Sequence, residues 1–132
     1  MIGIDTNVLM RFLVNDDDPQ NAIARRFLSE RTADDPAYIS AVTLAETVWI
    51  LRKRLNFPAA DVRDTVKALL EAEGLVVEHT EELDALLNDH KSPKADIADY
   101  LVFWCGARAG CRSTVTFDRT AAKDIPGMEL LT

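Results

Sequence analysis

Short apolar runs alternate along this chain with stretches of helical periodicity, and that alternation limits the fold more than any other feature. Strands separated by helical crossovers bury their apolar faces best in a parallel sheet covered by helices. The reading is α/β with a mainly parallel sheet. A first strand is expected over Met1–Ile4, with Gly3 marking close packing, and a helix over Asn7–Val14. Asp18 is a good N-cap, with Pro19 at the first position of the next helix. A strand at Ala37–Ile39 leads to Ser40, which opens a helix to about Arg54. A third long helix spans Pro58–Glu73 and is stopped by Gly74 in a left-handed turn. "LVVEHT" reads as a strand, followed by a helix from Thr80 to about His90. The most apolar helix runs from Lys94 to Ala109 and ends at Gly110. "CRSTVTFD" is a strand ending at Asp118, and a short helix and an extended Met128–Leu131 finish the pattern.

A chain of 132 residues, 48% hydrophobic and 28% charged, is expected to fold as a single domain over 1–132 around one core. No apolar run approaches the ~20 residues that cross a bilayer, and no signal-peptide pattern opens the sequence. The expected location is cytoplasmic. Cys105 and Cys111 are too few for a disulfide framework and read as reduced, mostly buried thiols. The net charge of −7 is uneven: residues 1–70 hold 9 Lys/Arg against 10 Asp/Glu, and residues 71–132 hold 6 against 12. A protein that wraps duplexes is normally basic, so any nucleic-acid contact must be local.

A few acids sit where solvated charge is not expected. Asp5 directly follows the first strand, and Asp118 directly follows the "STVTF" strand. The carboxyl ends of parallel strands form the crevice in which open α/β sheets bind ligands. Asp96 and Asp99, three residues apart, share a face at the start of the most apolar helix. Glu46 lies between Leu44, Ala45, Val48 and Trp49. Each acid taken singly is explained equally well by helix capping: Asp5 and Asp118 as N-caps, Thr43–Glu46 as a capping box, Asp96 and Asp99 at a helix N-terminus. Taken together, converging carboxylates repel one another and carry a desolvation cost. A hard divalent cation removes that repulsion, and oxygen ligands without a His or Cys cluster suit Mg²⁺ or Mn²⁺.

The stretches "IDTNVLMRFL", "ISAVTLAETVWIL", "ADIADYLVFWCGARAGC", "TVTFDRTAAK" and "IPGMELL" span residues 2–131. In order and spacing they resemble the PIN-domain ribonucleases, in the VapC toxin branch of bacterial toxin–antitoxin pairs. The resemblance implies a three-layer α/β/α sandwich whose parallel sheet has about four to five strands. It maps an acidic quartet onto Asp5, Glu46, Asp99 and Asp118, with Asp96 as a frequent extra acid. It implies a metal-dependent endoribonuclease that cuts structured or single-stranded RNA. Asp5, Asp96, Asp99 and Asp118 would hold Mg²⁺, or Mn²⁺, and Glu46 or Asp118 would orient the attacking water. Thr6, Asn7 and Thr116 are expected to align carboxylates or touch phosphate, or to be turn residues; Arg119 contacts RNA phosphate or is a solvated helix start. The resemblance also implies a homodimer held inactive by a VapB-type antitoxin, for which Trp49, Phe12 and Phe57 offer apolar surface unless they belong to the core. His79 and His90 fall in no metal or triad pattern.

The alternative is a PIN-like module that binds RNA or protein without cutting. Phosphotransfer folds fit poorly. A haloacid-dehalogenase-like phosphatase needs Asp-x-Asp after strand one, where this chain has Asn7. A response-regulator receiver needs a phosphoacceptor Asp after strand three, where it has Glu78.

Overall fold

The computed structural model describes residues 1–16, 18–89 and 93–132, in two compact units, Met1–Thr80 and Glu81–Thr132. His90, where a helix was expected to end, and Asp17 of the "DDD" run lie outside the described residues.

The N-terminal unit runs β1 (Ile2–Gly3), α1 (Thr6–Leu13), α2 (Pro19–Ser29), β2 (Ala37–Ile39), α3 (Ala41–Trp49), a π-helical turn (Ile50–Arg54), α4 (Ala59–Glu71) and β3 (Leu75–Val77). The three strands form one sheet in the order β1-β2-β3, parallel throughout, with Ile2 opposite Ala37 and Ala37 opposite Leu75. Its core is mainly apolar, built on Leu9, Ile39, Leu44, Leu51 and Val66, all nearly inaccessible, with Thr47 buried among them. Ile39 comes from β2, and the other four are inward positions of the helical segments packed on the sheet, as the periodicity predicts.

The C-terminal unit follows α5 (Thr80–Leu87), which starts at the boundary, with α6 (Ile97–Arg108), β4 (Thr114–Thr116), α7 (Arg119–Asp124) and β5 (Met128–Leu130). β4 and β5 pair in parallel, Thr114 opposite Met128. Ala95, Ala121, Ile125 and Met128 form a buried cluster against which Tyr100 and Phe103 pack. The fold is therefore helices with parallel strands, consistent with the α/β/α reading, its five described strands divided three and two.

Local chemistry explains most boundaries. Asp18 caps α2, accepting the Gln20 amide at 2.8 Å, with Pro19 at the first helical position. The helix expected to reach Arg54 does so, but its last turn widens: the Leu55 amide bonds to the Ile50 carbonyl five residues back, at 3.0 Å. Asn56, at φ 57°, then reverses the chain, a conformation that Asn tolerates better than most residues.

The buried Asn21 satisfies the end of α1. Its amide nitrogen donates to the carbonyls of Arg11 (2.5 Å) and Val14 (2.9 Å), and its oxygen accepts from Arg25 Nε (3.0 Å). Asn21→Ala leaves two helix-end carbonyls without these donors. A loss of about 2 kcal/mol in unfolding free energy is expected by urea titration; no loss would mean that water replaces the amide.

Several expectations are corrected. Gly74 does not stop α4 in a left-handed turn; α4 ends at Glu71, and Gly74 is needed because a Cβ there would stand 2.8 Å from the Arg31 carbonyl oxygen. Gly3 marks no close packing, since a Cβ there would meet nothing within 4 Å. Trp49 is 54% exposed, not core: Val48 and Leu51 take the inner positions, and Trp49 is turned away from them. Cys105 and Cys111 are exposed rather than buried. Cys105 follows the outward side of α6, and Cys111 stands in the turn after Gly110.

Candidate active site

In the N-terminal unit the site is built where β1 gives way to α1. Asp5 sits two residues past the strand, and its extended backbone (φ −91°, ψ 174°) makes it the N-cap of α1. One carboxylate oxygen, Oδ1, accepts the Val8 amide at 2.9 Å. The capping explanation for Asp5 is thus correct, and it fixes the carboxylate rather than consuming it: the second oxygen is left for other work.

Glu46 arrives from 41 residues away in sequence. Its Oε1 accepts the hydroxyl hydrogen of Thr6, the neighbour of Asp5, at 3.1 Å. The capping-box explanation of Glu46 fails. The N-cap of α3 is Ser40, whose Oγ accepts the Thr43 amide at 3.2 Å, so Glu46 lies beyond the first turn, where helix amides already have partners. A second hydroxyl bond secures the approach: Thr43 Oγ1 donates to the Ile4 carbonyl oxygen at 3.3 Å in a buried position. Thr43 and Glu46, three residues apart on one face of α3, thereby tie the helix to both sides of Asp5.

Glu78, just past β3, accepts the Ala41 amide at 2.8 Å and completes the cap of α3. Neither Thr43 nor Glu78 was singled out as a positioning residue from sequence. The spacing of Thr43 from Glu46 is a signal in the sequence, but it matches a capping box equally well.

In the C-terminal unit, Asp118 follows β4 and caps α7, with Oδ1 accepting the Ala121 amide at 2.9 Å. Thr116 shapes the turn that presents it: its Oγ1 accepts the Asp118 amide at 3.0 Å, which makes Thr116 a turn residue that also aligns the acid. Arg119 is exposed at the first position of α7. Asp96 takes the N-cap position of α6 without bonding the helix amides through its side chain, and Asp99 follows in the first turn; both are half-buried. Asp124, which the sequence did not mark, receives the Lys94 and Ala95 amides (2.5 and 2.8 Å) and so holds the approach to α6. Burial, and then the charges of Asp124, Asp89 and Asp99, push the Tyr100 phenol above its ordinary value.

The structure thus joins Asp5, Thr6 and Glu46 in one unit and sets Asp96, Asp99 and Asp118 in the other. Among the described residues, no three His, Cys, Asp or Glu side chains within either unit gather as a ligand cage. The donor set nevertheless suits a hard divalent cation. All are carboxylate oxygens; Asp5, Glu46 and Asp118 each spend one oxygen on an orienting hydrogen bond. Among the described residues, none of these three acids is in a salt bridge. Unneutralised, pre-oriented carboxylates are the usual first ligands of Mg²⁺ or Mn²⁺.

The chain is thus an α/β protein whose parallel strands deliver oriented acids just past their carboxyl ends. A family model for the PIN domain matches residues 2–126, running through both units, and the chain belongs to the PIN domain family. PIN domains are generally nucleases, typically use divalent metals and bind RNA. No curated protein matches the chain. Among the described residues no helix is long and apolar enough to cross a membrane.

Proposed function

We propose that this protein is a Mg²⁺-dependent endoribonuclease, the VapC-type toxin of a toxin–antitoxin pair, acting as a single domain over residues 1–132. The observation that supports it best is the link from Asp5 through the Thr6 hydroxyl to Glu46, which brings two distant acids to one strand end. A purely structural pair needs no second carboxylate there, because α1 is already capped by Asp5 and α3 by Ser40.

Asp5, Asp96, Asp99 and Asp118 would hold the cation, which when bound supplies Lewis acidity to the scissile phosphate and a lower pKa to water. Glu46 accepts the proton of the attacking water through the oxygen that Thr6 does not occupy, with Asp118 as the other candidate for that role. Thr6 holds the other Glu46 oxygen through its hydroxyl. Asn7, exposed in the first turn of α1, offers its amide to phosphate oxygens. Arg119 does the same at the start of α7. In the cell the proposed arrangement is a cytoplasmic homodimer silenced by a VapB-type antitoxin.

The test is cleavage of single-stranded and structured RNA by the purified protein. With Mg²⁺ or Mn²⁺ the RNA is cut; with EDTA cutting stops, and excess Mg²⁺ restores it. RNA that stays intact in every divalent ion but remains bound would instead identify a non-catalytic binding module.

A further inference from the structure

We infer that Arg54 is a substrate-binding residue that grips an RNA backbone phosphate beside the one being cut. This rests on the nuclease reading above. Within the N-terminal unit, a cleft of about 410 Å³ is lined by Asn7, Met10, Arg11, Asp16, Ile50 and Arg54, among others. Asn7, in its lining, is two residues along the chain from Asp5.

The two arginines in this cleft differ. Arg11 is already neutralised: its guanidinium bonds Asp16 at 2.9 Å, approaches Asp18 at 3.4 Å and bonds Gln20 at 3.1 Å. The Asp16 carboxylate in the lining is therefore occupied as well. Arg54 is exposed and in no salt bridge among the described residues. It is the charge in the cleft that remains to be used.

Its backbone is fixed. The wide bond from Leu55 to Ile50 closes the π-helical turn, the Phe57 amide bonds the Leu51 carbonyl at 2.8 Å, and Arg52 Nη1 donates to the Phe57 carbonyl at 2.9 Å. π-helical turns inside α-helices recur at functional sites because they re-aim side chains. Here the widened turn puts Arg54, together with Ile50, on the cleft lined by Asn7.

The overall charge makes the assignment sharper. A protein of net charge −7 has no general attraction for RNA, so an unpaired cation in a cleft near the proposed site matters more than one elsewhere. An acidic protein segment would also be attracted to Arg54. RNA is favoured because the lining of this cleft includes Asn7, two residues along the chain from Asp5, where hydrolysis is proposed.

The experiment measures binding of a fluorescein-labelled single-stranded RNA oligonucleotide by anisotropy across a salt series, in an Asp5→Asn background that does not cut. Arg54→Ala should raise Kd about tenfold and reduce the slope of log K against log salt by about 0.7, the loss of one single-strand phosphate contact. Arg54→Lys should restore the slope. In the cleaving protein, Arg54→Ala should raise KM with kcat little changed. Arg26→Ala, which removes an exposed cation already paired with Glu30, should alter neither. Unchanged Kd and slope in Arg54→Ala, with cleavage intact, overturn the inference and leave the nuclease reading standing. So does a variant whose only loss is affinity for poly-glutamate, which would assign Arg54 to a protein partner. A protein that binds RNA through Arg54 without ever cutting it sinks the nuclease reading and keeps the contact. A protein that binds no RNA sinks both.

Discussion

Asp5→Asn is expected to slow RNA cleavage by about 10²- to 10⁴-fold while leaving the protein folded. Asn is as good an N-cap as Asp, and its Oδ1 can accept the Val8 amide in the same way. What disappears is the charge. Glu46→Gln isolates charge in the same manner, since a Gln carbonyl still accepts the Thr6 hydroxyl at the observed 3.1 Å. If both acids serve only to shape the strand end, both variants keep full activity and the proposed site is wrong. If both act on one phosphodiester, each single change removes most of the rate, and the double variant is scarcely worse than either, because residues that act as a unit are not additive. The measurement is a single-turnover cleavage rate at saturating Mg²⁺, set beside a urea unfolding midpoint. Asp5→Ala supplies the contrast: it loses charge and cap together, so it should also cost about 1 kcal/mol of stability.

The same residues show why sequence reasoning went as far as it did. Asp5 and Asp118 were legible because strand-then-acid is a local pattern, and both do stand just past a strand. Capping and function looked like competitors for them in sequence. In the structure capping is what orients the acid, so the two explanations coexist. Glu46 was legible as an acid among apolar neighbours, but its partner was not. The hydroxyl that orients it belongs to Thr6, forty residues earlier, and no local pattern encodes that contact. The capping-box motif misled because Thr43 stands three residues before Glu46, whereas the helix is capped one turn earlier, at Ser40, where the backbone is extended. Asp124 was missed for a similar reason: it caps a segment 29 and 30 residues away. Burial of single side chains was the least legible property. Trp49 and the two cysteines are residue types usually found inside, and here local helix phase and a turn put them outside.

Gly127→Ala is expected to be the most damaging single-methyl change in the C-terminal unit, lowering stability by about 2–5 kcal/mol. Two independent penalties meet there. At φ +99° the backbone is in the region that side chains avoid, which costs roughly 1–2 kcal/mol for any residue with a Cβ. The added carbon would also stand 2.6 Å from Cε1 and Cζ of Phe103, closer than van der Waals contact allows. The Phe103 ring packs against the cluster of Ala95, Ala121, Ile125 and Met128, so its displacement loosens the core that supports β5. The Gly127 carbonyl, moreover, accepts the Thr114 amide at 3.0 Å at the start of β4, so backbone relief on one side disturbs the strand pair on the other. Two other glycines separate these effects. Gly110→Ala carries the strain alone, at φ +95° with nothing within 4 Å, and should cost about 1–2 kcal/mol. Gly3→Ala carries neither penalty and should stabilise by about 0.4–1 kcal/mol through the unfolded chain. Urea midpoints of the three variants should therefore fall in the order Gly3, Gly110, Gly127. A Gly127 variant no weaker than the Gly110 one would mean that the Phe103 ring yields at no cost, and that the contact between ring and backbone does not hold β5 in place.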